Sequence, residues 1–300
     1  MILATDIGYS TTKYGFKWNG VDVFNKFPSG LATISVVNNS IGESNSVKYN
    51  GQNYIVGKDA LDLPTVIPTR TEDFLVMHTP LFLTHIISAN GLTGVDTVCV
   101  SLSLTEYKRK KDRLSNVCTS FKVEDKVYNF KTLVFAQGLG IWADCGSPKE
   151  CVIVDIGYNT IDVLTVRNGI PQADFSFGLL NMGTCNVVSG ISSYINQSYN
   201  GLNFSEMELN EILYTGKFKN FGAVENLSSV IADLKVGYSK RTIDSVIMDT
   251  RIANVAKKTD NFIFAGGGAY FIDKDTVSKY GIMIPNEPEY SNVRGYLKLA

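Results

Sequence analysis

One short pattern is written twice along this chain, and the repetition limits what the chain can fold into. Ile2-Leu3-Ala4-Thr5-Asp6-Ile7-Gly8-Tyr9-Ser10-Thr11-Thr12-Lys13-Tyr14-Gly15-Phe16 is an apolar run that stops at an aspartate and a glycine turn, then resumes. Cys151-Val152-Ile153-Val154-Asp155-Ile156-Gly157-Tyr158-Asn159-Thr160-Ile161-Asp162-Val163-Leu164-Thr165-Val166 does the same in mid-chain. Each reads as a β-hairpin with a polar tip. Asp-Ile-Gly-Tyr-(Ser/Asn)-Thr at the start of each half implies two related domains presenting two similar loops to one ligand. The length of 300 residues agrees, being long for one core and natural for two domains of about 150.

The intervening segments alternate strands and helices. Val21 to Pro28 extends the first antiparallel sheet, and residues 29–70 read as a small inserted subdomain with a hairpin turning at Asn50-Gly51. Thr71 to Asn90 carries apolar residues at helical spacing around Pro80. A strand at 95–102, a helix at 105–118, strands over 120–135 and a helix start at Ala136 to Trp142 follow. A hinge at 144–148 leads to the second half: strands at 151–156, 161–167 and 170–177, then helices over 184–197, 205–214 and 223–239. A last strand, Asn261 to Ala265, runs into Gly266-Gly267-Gly268-Ala269, which is expected to open a helix. A strand–glycine–helix junction leaves backbone N–H groups free for phosphate or ribose.

Charge and composition remove several function classes. The net charge of −1 argues against broad phosphate-backbone binding to nucleic acid. The one basic cluster, Lys108 to Arg113, reads as solvated helix surface. No 18-residue apolar run occurs and the opening apolar run is too short for a signal peptide, so the expected location is the cytoplasm. Five cysteines without a Cys-x-x-Cys pair suit reduced core thiols, and His78 and His85 lack the neighbours of a metal site.

Neither a Gly-x-x-x-x-Gly-Lys-(Ser/Thr) loop nor a Gly-x-Gly-x-x-Gly fingerprint after a strand is present. Phosphate would instead be wrapped by the N–H and hydroxyl groups of a hairpin tip. An aspartate just before each turn can hold Mg²⁺ through water, and Lys13 adds a point charge.

The order of these parts resembles the actin, sugar-kinase and DnaK-type chaperone superfamily, and within it the bacterial actin-like plasmid-segregation ATPases of the ParM/Alp type. Asp6 to Lys13 is similar to their first phosphate loop, Asp155 to Asp162 to their second, and Phe264 to Ala269 to their adenosine loop. Ser101-Leu102-Ser103-Leu104-Thr105-Glu106-Tyr107-Lys108 resembles their Gly-Leu-Pro-containing segment before a basic helix, with Ser101 and Ser103 in place of Gly and Pro, and Asn292 to Tyr296 resembles their terminal helix. The resemblance implies an α/β, actin-like (ribonuclease H-like) duplicated two-domain fold with a nucleotide cleft between the domains. Residues 1–143 would form domain I, with helix 289–300 packing back on it, and 144–288 domain II.

It further implies ATP/ADP and Mg²⁺ as cofactors. Asp6 and Asp155 would be the carboxylates on the metal side, and Gln137, with Asp155, the catalytic pair, Gln137 orienting the attacking water. Gly8, Tyr9, Ser10, Thr11, Thr12 and Lys13 would form the first phosphate contact. Gly157, Tyr158, Asn159, Thr160 and Asp162 would form the second. Gly266, Gly267, Gly268 and Ala269, with Gly183, Glu208 and Glu211, would surround the adenosine. The implied function is an ATPase that polymerises on binding ATP and segregates plasmid or other DNA through an adaptor protein. The alternatives are a sugar- or acetate-type kinase and a non-polymerising nucleotide-switch adaptor.

Overall fold

The computed structural model describes residues 1–34, 46–67, 71–252, 255, 259 and 261–300. Within the expected subdomain at 29–70, residues 35–45 and 68–70 thus lie outside the described residues. The chain divides into two units, Met1–Ser147 with Glu289–Ala300, and Pro148–Pro288.

The first unit begins with β1 (Ile2–Ile7), β2 (Thr11–Trp18) and β3 (Val21–Pro28), an antiparallel meander. After β4 (Leu31–Ile34), β5 (Val47–Tyr49) and β6 (Gln52–Val56) make a three-stranded sheet of order β4-β6-β5. A single turn, α1 (Lys58–Leu61), and the long α2 (Glu72–Ala89) follow, and α2 runs through Pro80 unbroken. Next come β7 (Thr97–Leu102), α3 (Leu104–Thr119), the hairpin β8 (Ser120–Val123) and β9 (Lys126–Asn129), β10 (Lys131–Ala136) and α4 (Leu139–Asp144). The main sheet has the order β10-β7-β1-β2-β3, with β7 and β10 parallel to the first strand.

Leu3, Phe16, Phe82, Ile86 and Val100 fill its core, and Leu31, Tyr49 and Val56 of the smaller sheet join the same cluster. Burial of such side chains contributes about 1.5–3 kcal/mol each, which is what fixes these strands face down. The C-terminal helix, Ser291–Leu299, returns to this unit: Arg294 pairs with Asp144 at 2.8 Å and Val293 and Tyr296 are fully buried.

The second unit repeats the plan. It contains β11 (Cys151–Ile156), β12 (Thr160–Arg167), β13 (Ile170–Pro171) and β14 (Phe177–Leu180). Then come α5 (Cys185–Ser198), α6 (Glu206–Thr215), the hairpin β15 (Lys217–Asn220) and β16 (Ala223–Asn226), and α7 (Ser228–Ile247). Last are β17 (Phe262–Ala265), a 3₁₀ turn (Gly267–Phe271), α8 (Lys274–Tyr280) and β18 (Ile282–Met283). The sheet order is β13-β12-β11-β17-β18, again with two strands parallel to the hairpin's first strand on one side and antiparallel pairing on the other. The duplication visible in two short motifs is therefore a duplication of whole sheets. Among the described residues no helix is long and apolar enough to cross a membrane.

Four expectations need correction. Residues 223–226 are a strand paired with 217–220, and the helix starts only at Ser228. The segment 170–177 is a short strand, a 3₁₀ turn and the start of a second strand. The triple glycine opens a 3₁₀ turn, and the α-helix waits for the Asp273 cap, whose side chain accepts from Thr276 N–H. The basic cluster is not all solvated: Lys110 is buried and its ammonium pairs with Glu106 at 2.9 Å and Asp73 at 3.0 Å.

Candidate functional site

In the first unit, the register of β1 and β2 sets Asp6 opposite Lys13, and Gly8 N–H donates to Thr11 C=O at 3.2 Å to close the turn. Behind the turn, Ser29 N–H donates to Ser10 C=O at 3.0 Å, and the hydroxyls of Thr12 and Ser29 are bonded at 2.8 Å. The tip is thus held from below while its outer face stays polar.

Parallel pairing brings three strand ends together: Asp6 on β1, Ser101 on β7 and Gln137 just past β10. Asp6 Oδ1 accepts from Ser101 Oγ at 3.1 Å and from Gln137 Nε2 at 3.0 Å, while Oδ2 lies 3.9 Å from Lys13 Nζ. Carboxylates accept such charge-assisted bonds more strongly than neutral groups do. With its NH₂ on Asp6, Gln137 keeps its amide oxygen as an acceptor for a water. Its backbone is fixed on both sides: Gln137 N–H donates to Leu102 C=O at 2.8 Å and Gly138 N–H to Asn292 Oδ1 of the C-terminal helix at 3.1 Å.

Ser101 and Asn292 are contacts that motif reading did not assign. Ser101 had a signal, since it stands where a related motif has glycine. Ser103, in place of a proline, gives both its N–H and its hydroxyl to Glu72, at 3.0 and 2.9 Å. Proline has no N–H to give. Burial pushes the Glu72 carboxyl up, against these bonds.

The second unit builds the same turn: Gly157 N–H donates to Thr160 C=O at 2.9 Å. Here the residue opposite the strand-end aspartate is another aspartate, Asp162, and both carboxylates are buried. Opposite residues of an antiparallel pair share a face with Cβ atoms about 5 Å apart. Thr160 Oγ1 donates to Asp162 Oδ2 at 3.3 Å. Two buried carboxylates on one face make a donor set that suits a hydrated divalent cation.

The glycine turn lies directly on this strand end. Gly266 has φ +78°, and a Cβ there would lie 2.3 Å from Asp155 Oδ1 and 2.5 Å from Ile156 C=O; a Cβ on Gly268 would lie 2.2 Å from Ile156 Cγ2. Both glycines are thus needed for close approach to β11. Gly267 meets nothing within 4 Å, so it alone of the three faces open space.

The remaining assignments separate. Gly183 is a packing residue: a Cβ there would lie 2.3 Å from Tyr158 C=O, and Thr184 and Cys185 N–H donate to Gly157 and Tyr158 C=O at 3.1 and 2.8 Å. Those carbonyls accept from the first amides of α5, so the close approach to the hairpin tip accounts for glycine at 183. Glu208 closes a capping box with Ser205 at the start of α6. It lines, with Glu211, a pocket against the β15–β16 hairpin. The α6 carboxylate that does reach a hairpin tip is Glu206: burial and its bond to Glu206 push the Tyr158 phenol up. The helix seated on the glycine turn is α7. Ser239 Oγ donates to Phe271 C=O at 2.9 Å, and Lys235 Nζ stands 4.7 Å over the Phe271 ring, its pKa lowered by burial. Lys235 is one helical turn before Ser239, a spacing that marks it only once Ser239 is known to touch the turn.

Among the described residues no three His, Cys, Asp or Glu side chains gather as a metal cage. Mg²⁺ needs none, since it is held by one or two carboxylates and substrate phosphates while keeping its water. Within each unit the strand-end carboxylates fit that manner of binding, Asp6 in the first and Asp155 with Asp162 in the second.

Two family descriptions match the sequence. Actin like proteins N terminal domain matches residues 4–140, and Archaeal actin homologue MreB-like, C-terminal, matches residues 153–277. Each half of the chain thus matches an actin-like family, and the fold is actin-like. Solved structures give the same fold. The archaeal actin homologue Ta0583 is 18% identical at TM-score 0.80, with 99% of this chain and 98% of that chain covered. Ta0583 in complex with ADP is 19% identical at TM-score 0.78, over 99% of this chain and 98% of that chain. The 15-stranded ParM filament from Clostridium botulinum is 18% identical at TM-score 0.71, with 99% and 98% coverage. No curated protein matches the sequence significantly.

Proposed function

We propose that this actin-like protein binds and hydrolyses ATP, that its two hairpins are phosphate loops, and that nucleotide binding drives its assembly into filaments. The observation that carries the reading is the repeated hairpin with distinct partners: Asp6 held by Ser101, Gln137 and Lys13, and Asp155 facing Asp162. Turn amides and hydroxyls suit phosphate oxygens, and Lys13 supplies a cation beside them. Mg²⁺, when bound with the nucleotide, would neutralise phosphate charge; Asp6 in the first unit, and Asp155 with Asp162 in the second, are the carboxylates each hairpin offers to a hydrated cation.

Gln137 positions the attacking water. An amide orients water but is a poor base, so turnover is slow and depends on the fixing of Gln137 by Asp6 and by the Gly138–Asn292 bond. The similarity to a protein solved with ADP and to a ParM filament supports nucleotide binding and self-association. We further propose that the filaments act in the cytoplasm to segregate plasmid or other DNA through a DNA-binding adaptor. The adaptor accounts for a chain of net charge −1 serving DNA.

The test combines phosphate release with right-angle light scattering in ATP, ADP and no nucleotide, on wild type and Asp155→Ala. Wild type should hydrolyse ATP and scatter only with nucleotide, and Asp155→Ala should lose turnover while keeping its melting transition. Phosphate transfer to a sugar without any polymer, or unchanged turnover in Asp155→Ala, would overturn it.

A further inference from the structure

We propose that the β15–β16 hairpin is a self-contact surface whose occupant is the same hairpin of a second copy of this chain. The proposal rests on the filament reading and names the surface through which two protofilaments meet.

The hairpin is a two-stranded sheet, so both of its strands are edges. Its turn is Phe221-Gly222. Phe221 has φ +45° and is 102% exposed, the largest exposure of any bulky apolar side chain among the described residues. A phenylalanine there carries backbone strain that glycine or asparagine would not, and offers its whole ring to water. Neither cost serves the fold of the hairpin. Val224 across the turn and Tyr214 at the end of α6 are also exposed, at 63% and 78%.

The base of the same hairpin holds the complement. An open pocket of about 440 Å³ beside it is lined by Phe204, Ile212, Phe218 and Val224. Its rim carries Glu208 and Glu211 from α6 and Lys217 and Lys219 from β15. A rim with two carboxylates and two ammonium groups selects neither a basic nor an acidic partner. It complements itself under a two-fold rotation, which sets the glutamates of one copy against the lysines of the other. Phe218 and Phe221 are three residues apart, about 10 Å along a strand. In the proposed contact two hairpins lie antiparallel and each Phe221 ring enters the other's pocket.

Buried area sets the strength. Two aromatic side chains bury on the order of 300–500 Å² together, short of the roughly 1,200 Å² of a stable specific interface. Such a pair does not hold free monomers together. It closes when other contacts already align the copies, so it joins protofilaments side by side.

The test substitutes Phe221→Gly, Phe221→Asp and Phe221→Trp in the full chain. Glycine suits the positive φ, so its variant keeps or gains thermal stability and removes only the ring. Pelleting over a concentration series, with ATP, should show the critical concentration raised about tenfold or more for Phe221→Gly and Phe221→Asp, and near wild type for Phe221→Trp. Negative-stain images should show narrower filaments for the first two. ATP turnover measured below the critical concentration should be unchanged in all three. Wild-type critical concentration and filament width in Phe221→Gly and Phe221→Asp would overturn the contact and leave the filament reading standing. Failure of wild type itself to polymerise with any nucleotide would overturn the filament reading and the contact with it.

Discussion

Adjacent glycines in the turn after β17 should respond to the same substitution with opposite signs. Gly266→Ala introduces a Cβ 2.3 Å from Asp155 Oδ1 and 2.5 Å from Ile156 C=O, at φ +78° and ψ 170°. That backbone region belongs almost only to glycine and costs other residues about 1–3 kcal/mol. Displacing a carboxylate and a strand carbonyl adds to it, for a loss on the order of 2–4 kcal/mol in all. Gly267→Ala introduces a Cβ with no atom within 4 Å. It restricts the unfolded chain and should leave stability unchanged or raise it by about 0.4–1 kcal/mol. Nucleotide affinity discriminates differently. If Gly267 faces the ligand, a methyl there costs the complex about 1–3 kcal/mol, or roughly 5- to 150-fold in Kd for ADP. Urea unfolding followed by circular dichroism measures the first quantity and titration calorimetry with ADP the second. Stability changes of the same sign would refute the packing argument. Wild-type ADP affinity in Gly267→Ala would refute the assignment of the turn to the ligand.

Two further outcomes follow from the carboxylates of the first unit. Ser101→Gly removes a hydrogen bond to the buried Asp6 and should lower stability by about 1–2 kcal/mol and raise the Mg²⁺ concentration needed for half-maximal turnover, with Ser101→Thr restoring both; thermal melts and Mg²⁺ titrations check this. Burial alone would raise the Asp144 carboxyl, but bonds from Arg294 and Lys298 outweigh it and hold the group below its ordinary 3.8. A carboxyl lowered on folding adds stability above its unfolded pKa and loses it as the pH falls through the folded value. Asp144→Asn should therefore destabilise by about 1–3 kcal/mol at pH 7, and its deficit against wild type should shrink as the pH is lowered below about 4, as read from melts across the range.

How much of this was legible depends on the range of the interaction. The hairpin tips were readable because strand, aspartate and glycine turn are local, and the duplication could be read because the local pattern recurs. The partners of Asp6 were half readable: Gln137 came from the resemblance, whereas Ser101 lies 95 residues from Asp6 and meets it only through the parallel pairing of β1 and β7. Helical position alone cannot say which sheet edge Glu208 and Glu211 face; here Ser205 captures Glu208 at the helix start, and both residues line the pocket against the β15–β16 hairpin. The β15–β16 hairpin was hidden for another reason. Its turn residue Phe221 is a poor turn former, and its lysines and asparagines carry little strand propensity, so the segment blended into the helix that begins at Ser228.

The two loops show how a duplicated backbone acquires two chemistries. Both turns close with a glycine N–H on a threonine carbonyl, at 3.2 and 2.9 Å, and both have an aspartate one residue before the strand's last isoleucine. What differs is the residue across the ladder from that aspartate, Lys13 in one and Asp162 in the other. An acid facing a lysine is locally balanced and leaves an ammonium beside the turn amides, an arrangement suited to phosphate. Two facing buried acids cannot both ionise cheaply, and a divalent cation would lower that cost. In the proposed reading the first loop is therefore chiefly a phosphate contact and the second chiefly a metal contact. The division rests on one cross-strand position, since the turns themselves are alike.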